Sequence, residues 1–196
     1  MATLTMAWVR SEYAGEFAVL SAWIAMVLPW NVVYHPNAPL DSTVVFVRFS
    51  IVELQIRFPV VLAVGDQLVS ATNALAAQYP GTQFASGLFV ASPVGAIGHY
   101  DGYMQLGSLA WALGAVALLG SFAFSLAFYL REETVIERSP VDPVRVIGWL
   151  LAAATVATAS ASVLYFLDRG LAGVPIPIGT AIMGALAVAV LRAERR

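Results

Sequence analysis

Seven polar side chains carry the groups from which a site could be built: Asn31, His35, Arg48, Glu53, Arg57, His99 and Asp101. Three of them fall within VVFVRFSIVELQIRF, Val44 to Phe58. Two guanidinium groups and a carboxylate at that spacing can hold a polar ligand. The simpler reading is a solvated sheet face with cross-strand charge pairs. His35, His99 and Asp101 offer the donors of a metal site. Two histidines are too few for a convincing zinc site, so separate interfacial histidines are the simpler account and no metal is expected. Asn31 follows Pro29-Trp30. It can reach a ligand, but capping carbonyls freed by the proline, or bonding to a neighbouring helix, explains it more simply.

Other chemistry is missing from the sequence. With no cysteine, disulfides, thiolate metal sites, iron–sulfur clusters and cysteine nucleophiles are excluded. No nucleophile–base pair, phosphate loop, HExxH motif or paired in-membrane carboxylates are present. The expectation is therefore a protein that is not an enzyme and takes no cofactor. A formal charge of −2 and the lack of a basic patch argue against nucleic acid as a partner. All ten basic residues are arginine, a bias that suggests a GC-rich genome.

The elements that must position these residues belong to a bilayer. Hydrophobic residues make up 60% of the chain and charged ones 11%, against about 25% charged in a soluble domain. Mean hydropathy is +0.80. A span needs about 20 apolar residues. Four segments qualify: Phe17 to Tyr34, Met104 to Leu130, Val146 to Leu167 and Val174 to Leu191. The first reads as a retained anchor, since no A-x-A site follows it. Asp142 and Pro143 form a helix start before the third.

The quoted stretch is nearly apolar enough for a fifth span, and the arginine count alone does not exclude one. As a helix, however, it would bring three charges toward mid-bilayer at about 2.5–3.5 kcal/mol each. As a strand it alternates, with Val52, Leu54, Ile56 and Phe58 opposite Glu53, Gln55 and Arg57, and the phase slips at Ile51–Val52. We read it as β-structure outside the membrane, with a bulge or bend at the slip.

Four spans place Arg10, Arg131, Arg138, Arg145, Arg192, Arg195 and Arg196 on one side and Arg48, Arg57 and Arg169 on the other. The positive-inside rule then sets both termini in the cytoplasm. Trp30, Tyr34, Tyr100, Tyr103 and Tyr165 fall at the expected outer interface. The fold class is thus mainly α: a four-helix transmembrane bundle with a small external β/α layer between spans one and two. Residues 1–34 hold the cytoplasmic N-terminus and span one. Residues 35–103 form the external segment, and 104–196 hold spans two to four with a cytoplasmic loop at 131–145. Within the external segment, PVVLAV reads as a short strand or as an apolar piece lying on the membrane, the run Leu88 to Ala91 as a short strand, and residues 67–79 as a helix ended by Pro80.

One long external loop after span one and a short one between spans three and four resemble the plan of claudin-like four-helix proteins. That resemblance is topological only, because the cysteine pair and tryptophan motif of the claudin loop are absent. LPWNVVY (Leu28–Tyr34) followed by VVFVRFSIVELQIRF resembles membrane proteins of unknown function found in haloarchaea, in which a PWN-type end to the first span precedes an FVRF-like stretch. The likeness is clearest over residues 16–60 and implies no activity.

Small residues recur four apart: Ala110 and Gly114; Ala117, Ser121 and Ser125; Ala153, Ala157 and Ala161; Ala181, Ala185 and Ala189. Such rows let helix backbones approach closely, within the chain or against another copy. The four spans hold no ionisable residue away from their ends, which weighs against ion-coupled transport. The leading expectation is a non-enzymatic, multi-pass protein of the cell membrane, with the lipid bilayer as its solvent. It would be a structural or accessory subunit that binds a partner or forms a homo-oligomer. The alternative is a small channel, transporter or sensor, with a site between the external layer and the outer ends of the helices.

Overall fold

Uncharged apolar runs free of proline become long helices, whereas runs broken by proline do not. The computed structural model describes residues 13–38, 42–64, 67–71, 77, 86–168 and 173–193. In chain order the elements are α1 (Ala14–Val27), β1 (Asn31–Ala38), β2 (Ser42–Arg48), β3 (Glu53–Arg57), β4 (Val61–Val64), β5 (Gln67–Ser70), β6 (Gly87–Ala91), α2 (Pro93–His99), α3 (Gly102–Leu130), α4 (Glu132–Arg138), α5 (Pro143–Leu167), β7 (Val174–Ile176) and α6 (Ile178–Arg192). The protein is mainly helical, with a small antiparallel sheet. Two helices, α3 and α5, are long and apolar enough to cross a membrane. At about 1.5 Å per residue they measure about 43 and 37 Å. Asp142 caps α5 as expected, its carboxylate accepting from the Val144 amide at 3.1 Å.

The segments read as spans one and four are shorter helices than expected. The first helix stops at Val27 rather than Tyr34, and the last begins at Ile178 rather than Val174. Pro29 ends α1, since it cannot continue the amide ladder, and the β-branched run beyond it favours strand. Pro175 and Pro177 likewise remove two amides from the start of the last helix. The two released pieces pair with each other, Val32 opposite Ile176 and Tyr34 opposite Val174.

That pairing completes a five-stranded antiparallel sheet of order β6-β3-β2-β1-β7. The phase slip at Ile51–Val52 is a hairpin turn, with the Phe49 amide donating to the Val52 carbonyl at 2.8 Å and Arg48 facing Glu53 across the ladder. The expected strands at 59–64 and 88–91 are found as β4 and β6. The expected helix over 67–79 is corrected at its start: Gln67–Ser70 is strand β5, paired with β4. Ala71 and Ala77 are helical, and the remaining positions to Tyr79 lie outside the described residues.

Register assigns each side chain to one face of the sheet. Ile176, Val32, Val47, Leu54 and Val90 form one row across all five strands. Val174, Tyr34, Val45, Ile56 and Leu88 form the next. Both rows point away from the helices. The opposite face carries Val33, Val44 and Phe46 as a small buried core, together with Asn31, Arg48, Glu53 and Gln55, all buried. This sheet is therefore inverted, with its polar residues inward and its apolar rows outward.

The turn of the β2–β3 hairpin is held by the helices. Trp30 Nε1 and Trp111 Nε1 each donate to the Phe49 carbonyl at 3.0 Å, and Ser50 Oγ donates to the Met26 carbonyl at 2.7 Å. Trp30 stacks on Tyr165 at 6.4 Å and lies 6.1 Å from Trp111. Trp30 and Tyr165 are thus core residues rather than interfacial ones, because each indole or phenol finds its polar partner inside the protein.

Among the small residues, Gly114 meets α5 closely: a Cβ there would lie 3.0 Å from Thr158 Cγ2 and 3.5 Å from Ala157 Cβ. Ser121, Ser125 and Ala161 are buried, but Ala153 is exposed. On α6, Ala181 and Ala185 are exposed, and the packing row runs through Met183, Ala187 and Val190. The buried face of α6 mixes the small Gly179, Thr180 and Ala187 with Met183 and Val190, while Ile182 and Val188 stay exposed.

The tightest approach joins the two proline-bounded ends. A Cβ on Gly179 would fall on the Pro29 carbonyl and lie 2.7 Å from Trp30 Cα. Both obstacles are backbone and cannot rotate away. Gly179→Ala is expected to destabilise the fold by about 1–3 kcal/mol or more. Gly120→Ala, with nothing within 4 Å of its Cβ, is expected to leave the melting temperature unchanged or raise it. Thermal unfolding of both purified variants checks the contrast.

Candidate functional site

The inward polar residues converge beneath the sheet. Adjacent antiparallel strands set Arg48 directly opposite Glu53, and the two side chains form a charge-assisted bond from Arg48 Nε to Glu53 Oε2. Only 1% of Arg48 and 2% of Glu53 is exposed. Gln55, two residues along the same face, donates to Glu53 Oε1 at 2.5 Å. It accepts from Arg57 Nη2 at 2.9 Å. Asn31, on the strand beyond β2, accepts from Arg48 Nη1 at 3.3 Å and donates to Ser162 Oγ on α5 at 3.1 Å.

Aromatic rings close the cluster. The Arg48 guanidinium lies 4.2 Å from the Tyr165 ring centroid and 5.2 Å from that of Phe46. Arg57 lies 4.5 Å from the Phe89 centroid. Desolvated cation–π contacts of this kind contribute about 2 kcal/mol. Tyr165 hydroxyl meets Ser108 Oγ at 3.2 Å. Room for that ring comes from Gly107, where a Cβ would lie 2.7 Å from Tyr165 Cε1. Burial, and then the charge of Glu53, push the Tyr100 phenol above its ordinary range. Burial lowers Arg57, opposed by Tyr100 and Glu53.

Of the seven side chains singled out in the sequence, Asn31, Arg48, Glu53 and Arg57 are brought together. For Arg48 and Glu53 the reading as a solvated sheet face is corrected: both are buried, because the hairpin turn is anchored by Trp111 of α3 and by Trp30 before β1, whereas Arg57 is half-buried. His35 lies on β1 opposite Val44. His99 and Asp101 bracket the turn between α2 and α3, and His99 packs edge-on against Tyr100 at 5.0 Å. Among the described residues, no group of three or more His, Asp or Glu could hold a metal ion. Gln55, Ser162, Tyr165 and Tyr100 were missed. Gln55 was legible from its alternation with Glu53 and Arg57, whereas the others join through tertiary packing alone.

The cluster links sheet to helices, and its Arg48–Glu53 pair lies where water cannot reach. Removing one partner of a buried ion pair costs about 3–5 kcal/mol, whereas replacing both with apolar residues is often neutral. Arg48→Met and Glu53→Leu are each expected to destabilise by that amount. The double variant is expected to recover most of the loss, as measured by a double-mutant cycle of thermal or denaturant unfolding.

No curated protein and no solved structure matches the chain. One family model matches residues 7–195, nearly the whole length, and is described as a family of unknown function. The chain belongs to that family, DUF7549.

Proposed function

We propose that this chain is a four-span integral membrane protein with a structural or accessory role, its termini in the cytoplasm and its sheet on the outer side. The observation that carries the role is the self-sufficiency of the buried cluster. Arg48, Glu53 and Asn31 are almost entirely enclosed, and they bond to one another, to Gln55 and to Ser162. Groups that would recognise a ligand instead fasten the sheet to the helices. The span count is supported by α3 and α5 and by the apolar helices α1 and α6, each continued outward by a strand. Orientation is supported by the arginines at 131, 138, 145 and 192 against those at 48 and 57.

The cysteine-free sequence allows a direct test. Leu88 on β6 is 65% exposed, and Glu133 on α4 is exposed. Leu88→Cys is expected to react with a membrane-impermeant maleimide in intact cells, and Glu133→Cys only after lysis. Reaction of both in intact cells, or the reverse order, defeats the topology. For the role, gentle solubilisation is expected to yield a homo-oligomer or a stoichiometric complex. A lone monomer that conducts solute in liposomes would favour the channel reading instead.

A further inference from the structure

On the four-span reading, which this step requires, helix lengths and hydrogen bonds fix how deep the sheet sits. Thr180 Oγ1 donates to the Trp30 carbonyl at 3.2 Å, about 18 Å along α6 from Arg192. Asn31 bonds Ser162, about 26 Å along α5 from Arg145. Trp111 holds the hairpin turn, about 30 Å along α3 from Arg131. Those arginines mark the cytoplasmic interface, and the hydrocarbon core is about 30 Å thick. The lower edge of the sheet therefore lies within the outer leaflet rather than above it. Successive outward rows are spaced by about 7 Å along the strands.

We infer that the outward face of the five-stranded sheet is a lipid-contact surface, its lower row against acyl chains and its upper row among headgroups. Three observations select lipid. The ten outward positions hold nine aliphatic side chains and one tyrosine, Tyr34, in the upper row, where interfacial aromatics belong. This face is continuous with exposed apolar residues on the helix ends beside it, including Val27 at 71% and Ile178 at 57%.

The third observation concerns β7, an edge strand. Its Val174 and Ile176 face Tyr34 and Val32, and Pro175 faces Val33. In an antiparallel ladder alternate residues direct their amides to opposite sides. The outward amide position within β7 thus falls to Pro175, which has no amide hydrogen, and Pro177 just beyond the strand has none either. An edge without donors suits hydrocarbon, which cannot satisfy them, and offers little to a pairing strand from a second copy.

The test uses the full chain in phosphatidylcholine vesicles, with one cysteine per variant carrying an environment-sensitive fluorophore. Val90→Cys reports the lower row, Leu88→Cys the upper row, Val116→Cys the exposed side of α3 and Glu133→Cys the aqueous loop. Quenching of the Val90 label by acyl-chain nitroxide lipid is expected to come within about a factor of two of that at Val116, both lying inside the ~30 Å core. Leu88 is expected to respond more to headgroup nitroxide. Iodide quenching of Val90 as strong as that of Glu133 overturns the inference. Protection of Val90 from both quenchers, with Val90→Cys chains cross-linking to each other, overturns it in favour of a second copy. If Val116 itself escapes lipid quenching, the four-span reading fails, and the lipid surface fails with it.

Discussion

A guanidinium and a carboxylate enclosed in protein must satisfy each other, because the surroundings supply neither water nor counterion. Arg48 and Glu53 obey this constraint, and the rest of the sheet follows from it. Their pairing fixes which face of β2 and β3 turns toward the helices. That choice draws Gln55 and Asn31 inward and brings Tyr165 under the guanidinium. It also leaves the opposite face to the aliphatic rows and Tyr34. An ordinary half-buried sheet buries its apolar residues and wets its polar ones. Here one ion pair, anchored by Asn31 and Ser162, reverses that assignment.

The helices make room for this arrangement by ending early. Pro29 stops α1 and Pro177 precedes α6, so the chain beside both helix ends is strand, while α3 and α5 continue as helix past the hairpin turn that Trp111 holds. Backbone groups freed at those corners are used at once: Trp30 donates its amide to Arg48 and accepts from Thr180 through its carbonyl. The close contact of Gly179 with Pro29 belongs to the same joint. Proline here shortens a helix and then protects the edge of the strand that replaces it.

Much of the architecture was legible because period and composition are local properties. The uncharged run from Met104 to Leu130 and the Asp142-Pro143 start identify two long helices. Alternation across Val44–Phe58 identifies strand. Alternation is blind, however, to which face is buried, and water was assumed where the chain supplies Tyr165, Asn31 and Ser162 from elsewhere. Hydropathy is equally blind to the difference between VPIP as a helix start and VPIP as an edge strand, since both are apolar. On α6 the alanines at 181, 185 and 189 lie four apart, yet the buried row runs through Gly179, Thr180, Met183, Ala187 and Val190, which the spacing of small residues does not reveal. Ser162 and Tyr100 carry no local signal, since their role exists only once the helices flank the sheet.

The ion pair also has a use that stability alone does not explain, for buried pairs often contribute little net free energy. A slip of one residue in a strand exchanges its two faces. In the β2–β3 hairpin such a slip would move Arg48 or Glu53 onto the aliphatic side and bring Val47 or Leu54 into the polar cluster. Either outcome leaves a charge without its partner in an apolar setting, a loss far larger than that of exchanging one aliphatic side chain for another. A wholly aliphatic hairpin would penalise the slip much less, since Val, Leu and Ile on the two faces are nearly interchangeable. The register that carries both outward rows is thus held by the two residues in the stretch that fit least well with lipid.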